Sequence, residues 1–150
     1  KYNVLKNVSA AEPKSRKGNG QRIAYRFHSK QLPELSEFHR QFYGSGRKAI
    51  PAAIPLDPLI LAVWYMDDGS RCSDDDYYLN TQQYSMSDQK TLIAMLADLG
   101  LRTSLNRDKC YWRIRFRVVS LPLFKATVKP HIIPSMRYKL GYNPVETSPT

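Results

Sequence analysis

The chain has 150 residues, 42% of them hydrophobic and 24% charged, and none of its apolar runs approaches the ~20 residues of a membrane-spanning helix. Its 23 Lys and Arg residues against 13 Asp and Glu residues give a net charge of +10 and a pI near 9.7, which predicts binding to a polyanion. Cys72 and Cys110 form no CxxC pair, so a reduced intracellular setting is favoured over a disulfide or a zinc site.

The first third of the chain is basic. Residues 1–30 hold eight basic side chains and one acid, which gives this segment a charge of +7. Apolar and polar residues alternate along residues 21–29, with Arg22 and Arg26 on the polar side, and this alternation predicts a half-buried strand. The other elements predicted here are a loop or hairpin over residues 1–20, a helix over 32–43 and a linker over 47–56.

Residues 57–69 are the most informative stretch of the sequence. Asp57 is a favourable N-cap, and Pro58 suits the first helical position, where a missing N–H costs nothing. Residues 59–66 are all apolar and leave no polar face. We therefore expect a short helix that is buried on nearly every side.

Two acids end this helix. Asp67 and Asp68 fall at its C-terminus, where the helix dipole disfavours negative charge, so a bound cation would offset that cost. From the spacing alone, the acids equally suit a simple turn into Gly69 and Ser70. The stretch is a candidate metal site with that turn as the alternative.

The rest of the sequence predicts an α+β unit of alternating helices and strands. A turn at residues 74–76 precedes the first of these strands, and Gly100 lies just beyond the end of the following helix. The predicted elements are a strand over 77–84, a helix capped by Ser87 and ending at Leu99, a hairpin that begins at 101–104 and turns at 106–109, a return strand that reaches Val118, and a short helix over 121–131.

The return strand carries three arginines on one face. Arg113, Arg115 and Arg117 alternate with apolar residues, which sets their side chains about 7 Å apart by the rise of a strand. That pitch suits a phosphate backbone or successive base edges, and arginine is the commonest reader of guanine in the major groove. An ordinary solvent-facing strand would show the same alternation.

Residues 61–69, which read LAVWYMDDG, resemble the signature helix of the LAGLIDADG homing endonucleases. The similarity is greatest to the branch whose second motif runs W-Y/F-M-D-D-G. Residues 79–85 (LNTQQYS) and 133–140 (IPSMRYKL) extend the resemblance, which covers about residues 21–142. Val63 stands where the family has a small glycine, and Met66 where it has an earlier acid, so the packing of the helix is expected to differ in detail.

The resemblance implies an α+β fold with antiparallel β saddles, helices on one face of them, and a pseudo-twofold repeat whose first half is incomplete. Residues 1–56 would be the C-terminal part of a first half plus a linker, residues 57–142 a complete second half, and residues 143–150 a tail. Residues 1–56 hold no helix of the LAGLIDADG type. Upstream residues or a second chain would then supply the first motif helix.

The resemblance also implies a function: site-specific, Mg²⁺-dependent cleavage of double-stranded DNA in intron homing. Asp68 matches the metal-binding acid of the family, and Gly69 beside it is expected to belong to the metal site. Lys139 is a candidate for orienting the attacking water or neutralising charge, and a glutamine, Gln82 or Gln83, is a candidate for holding the water. The residues expected to contact DNA are Arg113, Arg115, Arg117, Arg22, Arg26, Gln83 and Tyr84.

Two alternatives stay open. The same scaffold serves non-catalytic intron maturases or RNA-processing factors, for which intron RNA would be the partner. In the third interpretation, this chain is a structural half of the fold that becomes active only together with a partner chain. The expected setting is intracellular, in an organelle or in a prokaryotic cytoplasm, with no membrane partner.

Overall fold

The computed structural model of the chain describes residues 6–17, 23–44, 46–51 and 54–142. The chain divides into two compact units, Lys1–Gly44 and Ser45–Thr150. Each helix in the described ranges falls short of the length and apolar character that a bilayer-spanning segment requires.

In its described residues, the first unit contains a two-stranded antiparallel sheet, one α-helix and a short 3₁₀ helix, Lys6–Val8. The strands are β1 (Lys14–Lys17) and β2 (Ile23–Arg26), and the helix is α1 (Pro33–Tyr43), where a helix was predicted. No residue of these elements is buried. The prediction of a half-buried strand is therefore wrong for β2: Ile23 and Tyr25 are 61% and 69% exposed, because no described element of this unit covers them.

The second unit is a four-stranded antiparallel sheet with three α-helices, which confirms the predicted α+β class. The strands lie in the order β3-β4-β6-β5. Their bounds, with those of the helices, are α2 (Pro58–Asp68), β3 (Gly69–Arg71), β4 (Tyr77–Leu79), α3 (Met86–Asp98), β5 (Thr103–Asp108), β6 (Tyr111–Phe116) and α4 (Leu121–Val128). Short 3₁₀ helices cover Val118–Ser120, Lys129–His131 and Pro134–Leu140.

The core of this unit lies on one face of the sheet. Phe116 of β6 stacks on Phe124 of α4 with ring centroids 4.1 Å apart, and Tyr65 of α2 meets Phe124 edge-on at 4.9 Å. Tyr77 and Ile114 are also fully buried on this face. Because side chains alternate along a strand, the opposite face, which we call the outer face, receives the polar residues of the same strands.

The strand predicted over residues 77–84 is shorter in the structure. β4 ends at Leu79, and the chain then turns, with the Tyr84 N–H donating to the Thr81 carbonyl at 3.0 Å. Thr81 is buried, and its hydroxyl donates to the Gln89 side chain of α3 at 3.0 Å. This bond draws the chain out of the sheet and towards the helix.

Helix α2 forms where the sequence predicted it but is buried on one side only. The Asp57 carboxylate accepts the Ile60 N–H at 2.7 Å, as expected of an N-cap. Leu61, Ala62 and Tyr65 are buried, whereas one stripe of apolar residues is open to solvent. The stripe consists of Leu59, Ile60 and Val63, which are 52%, 37% and 47% exposed. The expectation of burial on nearly every side is wrong, since the second unit packs against a single face of the helix.

Helix α3 is capped by Ser85 and not by Ser87 as predicted. The Ser85 hydroxyl accepts the Asp88 N–H at 3.1 Å, and the Asp88 carboxylate accepts the Ser85 N–H at 3.3 Å, which is a capping box. Asp88 also accepts the Ile50 N–H at 3.1 Å, so the cap holds the preceding linker against the helix. Ser87 lies in the first turn, with its side chain exposed.

Replacing the two serines separately tests this cap. We expect Ser85→Ala to lower the free energy of unfolding by about 1 kcal/mol, because the Asp88 N–H loses its acceptor. Ser87→Ala, a matched change two residues away, is expected to stay within about 0.5 kcal/mol of the wild type. Urea unfolding followed by circular dichroism measures both values, and equal effects would contradict the assigned cap.

Candidate metal and nucleic-acid site

The two predicted acids lie at the junction between α2 and the sheet. Asp68 is the last helical residue, and its carbonyl accepts the Asn80 N–H at 3.1 Å, which joins the end of the helix to the residue after β4. Asp67 is exposed and Asp68 is half-buried. Within the described residues, no hydrogen bond or ion pair engages the Asp68 carboxylate. Its oxygens therefore remain available to a ligand.

Gly69 is required at this junction by a close approach to the helix. A Cβ at this position would lie 2.1 Å from Cδ2 of Tyr65 and 2.4 Å from the Tyr65 carbonyl oxygen. The φ angle of Gly69 is −77°, which any residue adopts, so lack of space is the reason for glycine. The side chain of Tyr65 thus packs directly under the residue that follows the acids.

Lys139 supplies the positive charge that the end of α2 lacks. Its ammonium donates to the carbonyls of Met66 at 2.7 Å and Gly69 at 2.9 Å, with those of Tyr65 and Asp67 at 3.4 and 3.5 Å. A lysine here satisfies unpaired carbonyls and opposes the negative end of the helix dipole. The cost of placing two acids at this end is therefore offset by a side chain of the protein.

Two buried tyrosines hold the segment that carries Lys139. The Tyr65 hydroxyl donates to the Lys139 carbonyl at 2.9 Å, and the Tyr77 hydroxyl donates to the Leu140 carbonyl at 3.0 Å. Burial raises the pKa of Tyr65, so its hydroxyl keeps its proton at neutral pH. Sequence reasoning missed both anchors, because contacts across more than sixty residues leave no local pattern.

The donors at this junction suit a hard divalent cation but form only part of a shell. Carboxylate and carbonyl oxygens are the ligands that Mg²⁺ prefers. No group of three or more His, Cys, Asp or Glu side chains that could hold a metal occurs among the described residues. The carbonyl of Gly69, predicted as a ligand, accepts from Lys139. A complete metal site would need further oxygen ligands from outside this group.

The acids of the β3–β4 loop do not converge on this junction. Asp74 pairs with Arg71, and Asp76 pairs with Arg115 at 2.6 Å. These carboxylates neutralise arginines of the sheet. The five aspartates that the sequence groups between residues 67 and 76 therefore do not form a single cluster in the structure.

Two of the three predicted arginines lie together on the outer face of the sheet. Arg113 sits over the Tyr78 ring, with its guanidinium carbon 3.8 Å from the centroid, and its Nε donates to Asn106 at 3.5 Å. Arg115 is opposite Tyr78 in the strand register. Arg117 lies beyond β6, which ends at Phe116, and is exposed. The prediction that Arg117 belongs to the strand is wrong, because a 3₁₀ helix begins at Val118.

The other predicted contacts are spread more widely. Gln82 donates to Asp108 at 3.1 Å near the tip of the β5–β6 hairpin, and this bond directs its amide towards the hairpin. Tyr84 has the Lys48 ammonium over its ring at 4.9 Å, and Gln83 is exposed. Arg26 is exposed on β2 of the first unit. Arg22 lies outside the described residues.

Comparison with known proteins decides the family. A sequence profile of the LAGLIDADG DNA endonuclease family matches residues 1–124. The chain belongs to this family. A solved structure, the homing endonuclease I-WcaI bound to its DNA recognition sequence, has the same fold: the TM-score is 0.81 at 24% identity, over 95% of this chain and 69% of that chain.

Two relatives of this LAGLIDADG protein carry the name cytochrome b mRNA maturase bI2. The protein of Debaryomyces hansenii is 32% identical over 113 residues, covering 72% of this chain and 43% of the relative. The protein of Saccharomyces cerevisiae is 33% identical over 100 residues, covering 63% and 23%. The chain therefore spans less than half the length of these relatives.

The contact of Lys139 with the end of α2 can be tested by Lys139→Met, which keeps the side-chain length and removes the charge. We expect the free energy of unfolding to fall by about 1–2 kcal/mol, because the carbonyls of Met66 and Gly69 lose their donor. Amide hydrogen exchange at Gly69 should become faster. Arg137→Met, an exposed change in the same 3₁₀ helix, is the control, and equal effects of the two changes would argue against the contact.

Proposed function

We propose that this LAGLIDADG protein is a site-specific, Mg²⁺-dependent endonuclease that hydrolyses both strands of a DNA target, as in intron homing. The observation that carries the proposal is the geometry at the end of α2. An Asp68 carboxylate without a partner in the described part of the chain, the close-packed Gly69 and the Lys139 ammonium meet at one junction. A simple turn would not require a half-buried carboxylate that makes no hydrogen bond or ion pair in the described part of the chain.

The residues of the junction would divide the work of hydrolysis. Asp68 would hold the ion, whereas the exposed Asp67 carboxylate next to it would not be needed for binding. Bound Mg²⁺ would polarise the scissile phosphate and lower the pKa of the attacking water. Lys139 would oppose the negative charge that develops on the phosphate oxygens. Its two tyrosine anchors would keep the ammonium in place during the reaction.

The outer face of the sheet would bind the DNA. It presents two guanidiniums with the amide of Asn106, and these groups match the donors and acceptors of base edges. The exposed arginines Arg26 and Arg117, with Gln83, would add contacts outside that face. The charge of +10 would draw the duplex towards the protein.

Cleavage of both strands would need a second motif helix. The exposed apolar stripe of α2, formed by Leu59, Ile60 and Val63, is where we propose that this helix packs. It would bring the second acid and complete the oxygen shell. Upstream residues or a second chain would supply it, and the organellar or prokaryotic setting stays a prediction.

A non-catalytic maturase is the second candidate, and the two relatives named as mRNA maturases favour it. Such a protein would use the same basic sheet to bind intron RNA. It would have no need of the Asp68 carboxylate. Cleavage activity therefore separates the two candidates.

Replacing the acid tests the endonuclease. Asp68→Asn is expected to abolish Mg²⁺-dependent cleavage of a partially randomised DNA library while leaving DNA binding unchanged, because the ligand charge is lost but the packing is not. Asp67→Asn is the control for a general loss of charge at this end of the helix, and we expect it to retain cleavage. The chain should be assayed both by itself and within its native sequence context.

Two results would count against the role of Asp68, and a third would count against the endonuclease itself. Normal cleavage by Asp68→Asn would remove Asp68 from the reaction. An equal loss of cleavage in Asp68→Asn and Asp67→Asn would mean that metal binding cannot be assigned to Asp68 alone. Tight binding of intron RNA, with no DNA cleavage in any context, would favour the maturase.

A further inference from the structure

Arg115 is held in place by a carboxylate on the outer face of the sheet. Its Nη2 lies 2.6 Å from Oδ1 of Asp76, and both side chains are about one-third exposed. The same Oδ1 accepts the Tyr78 hydroxyl at 3.2 Å, and the other carboxylate oxygen accepts the Ser73 hydroxyl at 3.0 Å. Asp76 is thus fixed from two sides before it meets the arginine.

The protonation states of Asp76 and Tyr78 are fixed by their surroundings. The hydrogen bond from Ser73, and after it the Arg115 guanidinium, hold the pKa of Asp76 below its usual range, although partial burial opposes them. Burial and the neighbouring carboxylate raise the pKa of Tyr78, which keeps its hydroxyl a donor. At neutral pH, Arg115 therefore faces a full negative charge.

Only part of the Arg115 guanidinium is open to a ligand. Its Nε is buried and has no hydrogen-bond partner among the described residues, and one Nη2 hydrogen is used by Asp76. The donors that remain belong to the two terminal nitrogens. They form the end of the fork that binds two acceptors side by side, as on the O6 and N7 atoms of guanine.

The carboxylate favours a base over a phosphate as the partner of Arg115. A phosphate brought to this guanidinium would lie beside Asp76, and two negative charges in contact repel. The guanine edge is uncharged, and an aspartate can also accept from the N4 amino group of cytosine. Arg113 contrasts with this arrangement, since its guanidinium stacks on the Tyr78 ring.

We propose that Asp76 is a specificity-determining residue, which fixes Arg115 for a G·C base pair of the DNA target and keeps it from binding phosphate. Asp76 acts through Arg115 and is in this sense a positioning residue. The inference rests on the proposed function, because it requires the outer face of the sheet to lie in the major groove.

The test is an equilibrium selection from DNA duplexes with a randomised segment, followed by sequencing, for the wild type and three variants. Arg115→Ala should reduce the preference for G·C at one position by about fivefold or more. Asp76→Asn should also reduce the preference for G·C at the same position. Binding to unselected duplexes should then tighten, and the slope of log K against log[salt] should steepen by about 0.9, as expected for one added phosphate contact.

Asp75→Asn is the matched control. It removes the same charge from the neighbouring residue, whose carboxylate is exposed and does not pair with Arg115. We expect its base preferences to equal those of the wild type. Thermal unfolding of each variant would confirm that the sheet remains folded.

The outcomes separate this inference from the proposed function. A blurred position shared by Arg115→Ala and Asp76→Asn, but not by Asp75→Asn, supports the role of Asp76. A position blurred by Arg115→Ala and unchanged in Asp76→Asn overturns that role and leaves sequence-specific DNA binding in place. A wild type that selects no sequence overturns both.

Discussion

The contact between Lys139 and the C-terminus of α2 determines the geometry of the candidate site. This end of the helix carries two acids, carbonyls without helical partners and the negative pole of the dipole. The Lys139 ammonium donates to the carbonyls and opposes the negative charge. The segment that holds the ammonium is fixed in turn by tyrosines of α2 and β4. The aromatic core therefore sets the position of the charged groups, and the site does not depend on a flexible loop.

Strand alternation governs the other half of the site. The core face of the sheet is filled by aromatic and aliphatic side chains, so every polar residue at the intervening positions must emerge on the outer face. There Arg115 is paired with Asp76, and Arg113 lies over the ring of the buried Tyr78. The two guanidiniums of the outer face are therefore held in fixed orientations by neighbouring side chains. Oriented donors of this kind are what the proposed contact with base edges would require.

Local sequence patterns predicted the elements well and their ends less well. The limits of α1 and α2 followed from proline, cap and glycine signals, and the alternation around Ile114 identified β6. The cap of α3 was misplaced because Ser85 and Ser87 both suit the role, and only the bond to Asp88 decides between them. The early end of β4 depends on the buried pair of Thr81 and Gln89, which is a tertiary contact.

The candidate site was also predictable only where its residues follow a local sequence pattern or the family motif. Asp68 and Gly69 belong to one contiguous motif, and Lys139 followed from the family resemblance, whereas Tyr65 and Asp76 act through contacts that no spacing rule gives. Among the described residues, no hydrogen bond or ion pair that stabilises the fold involves the Asp68 carboxylate. Loss of this carboxylate is therefore expected to remove the proposed chemistry and to leave the packing of the protein unchanged. The proposed nuclease and the proposed maturase are therefore separated by a single side chain whose loss the packing of this fold tolerates.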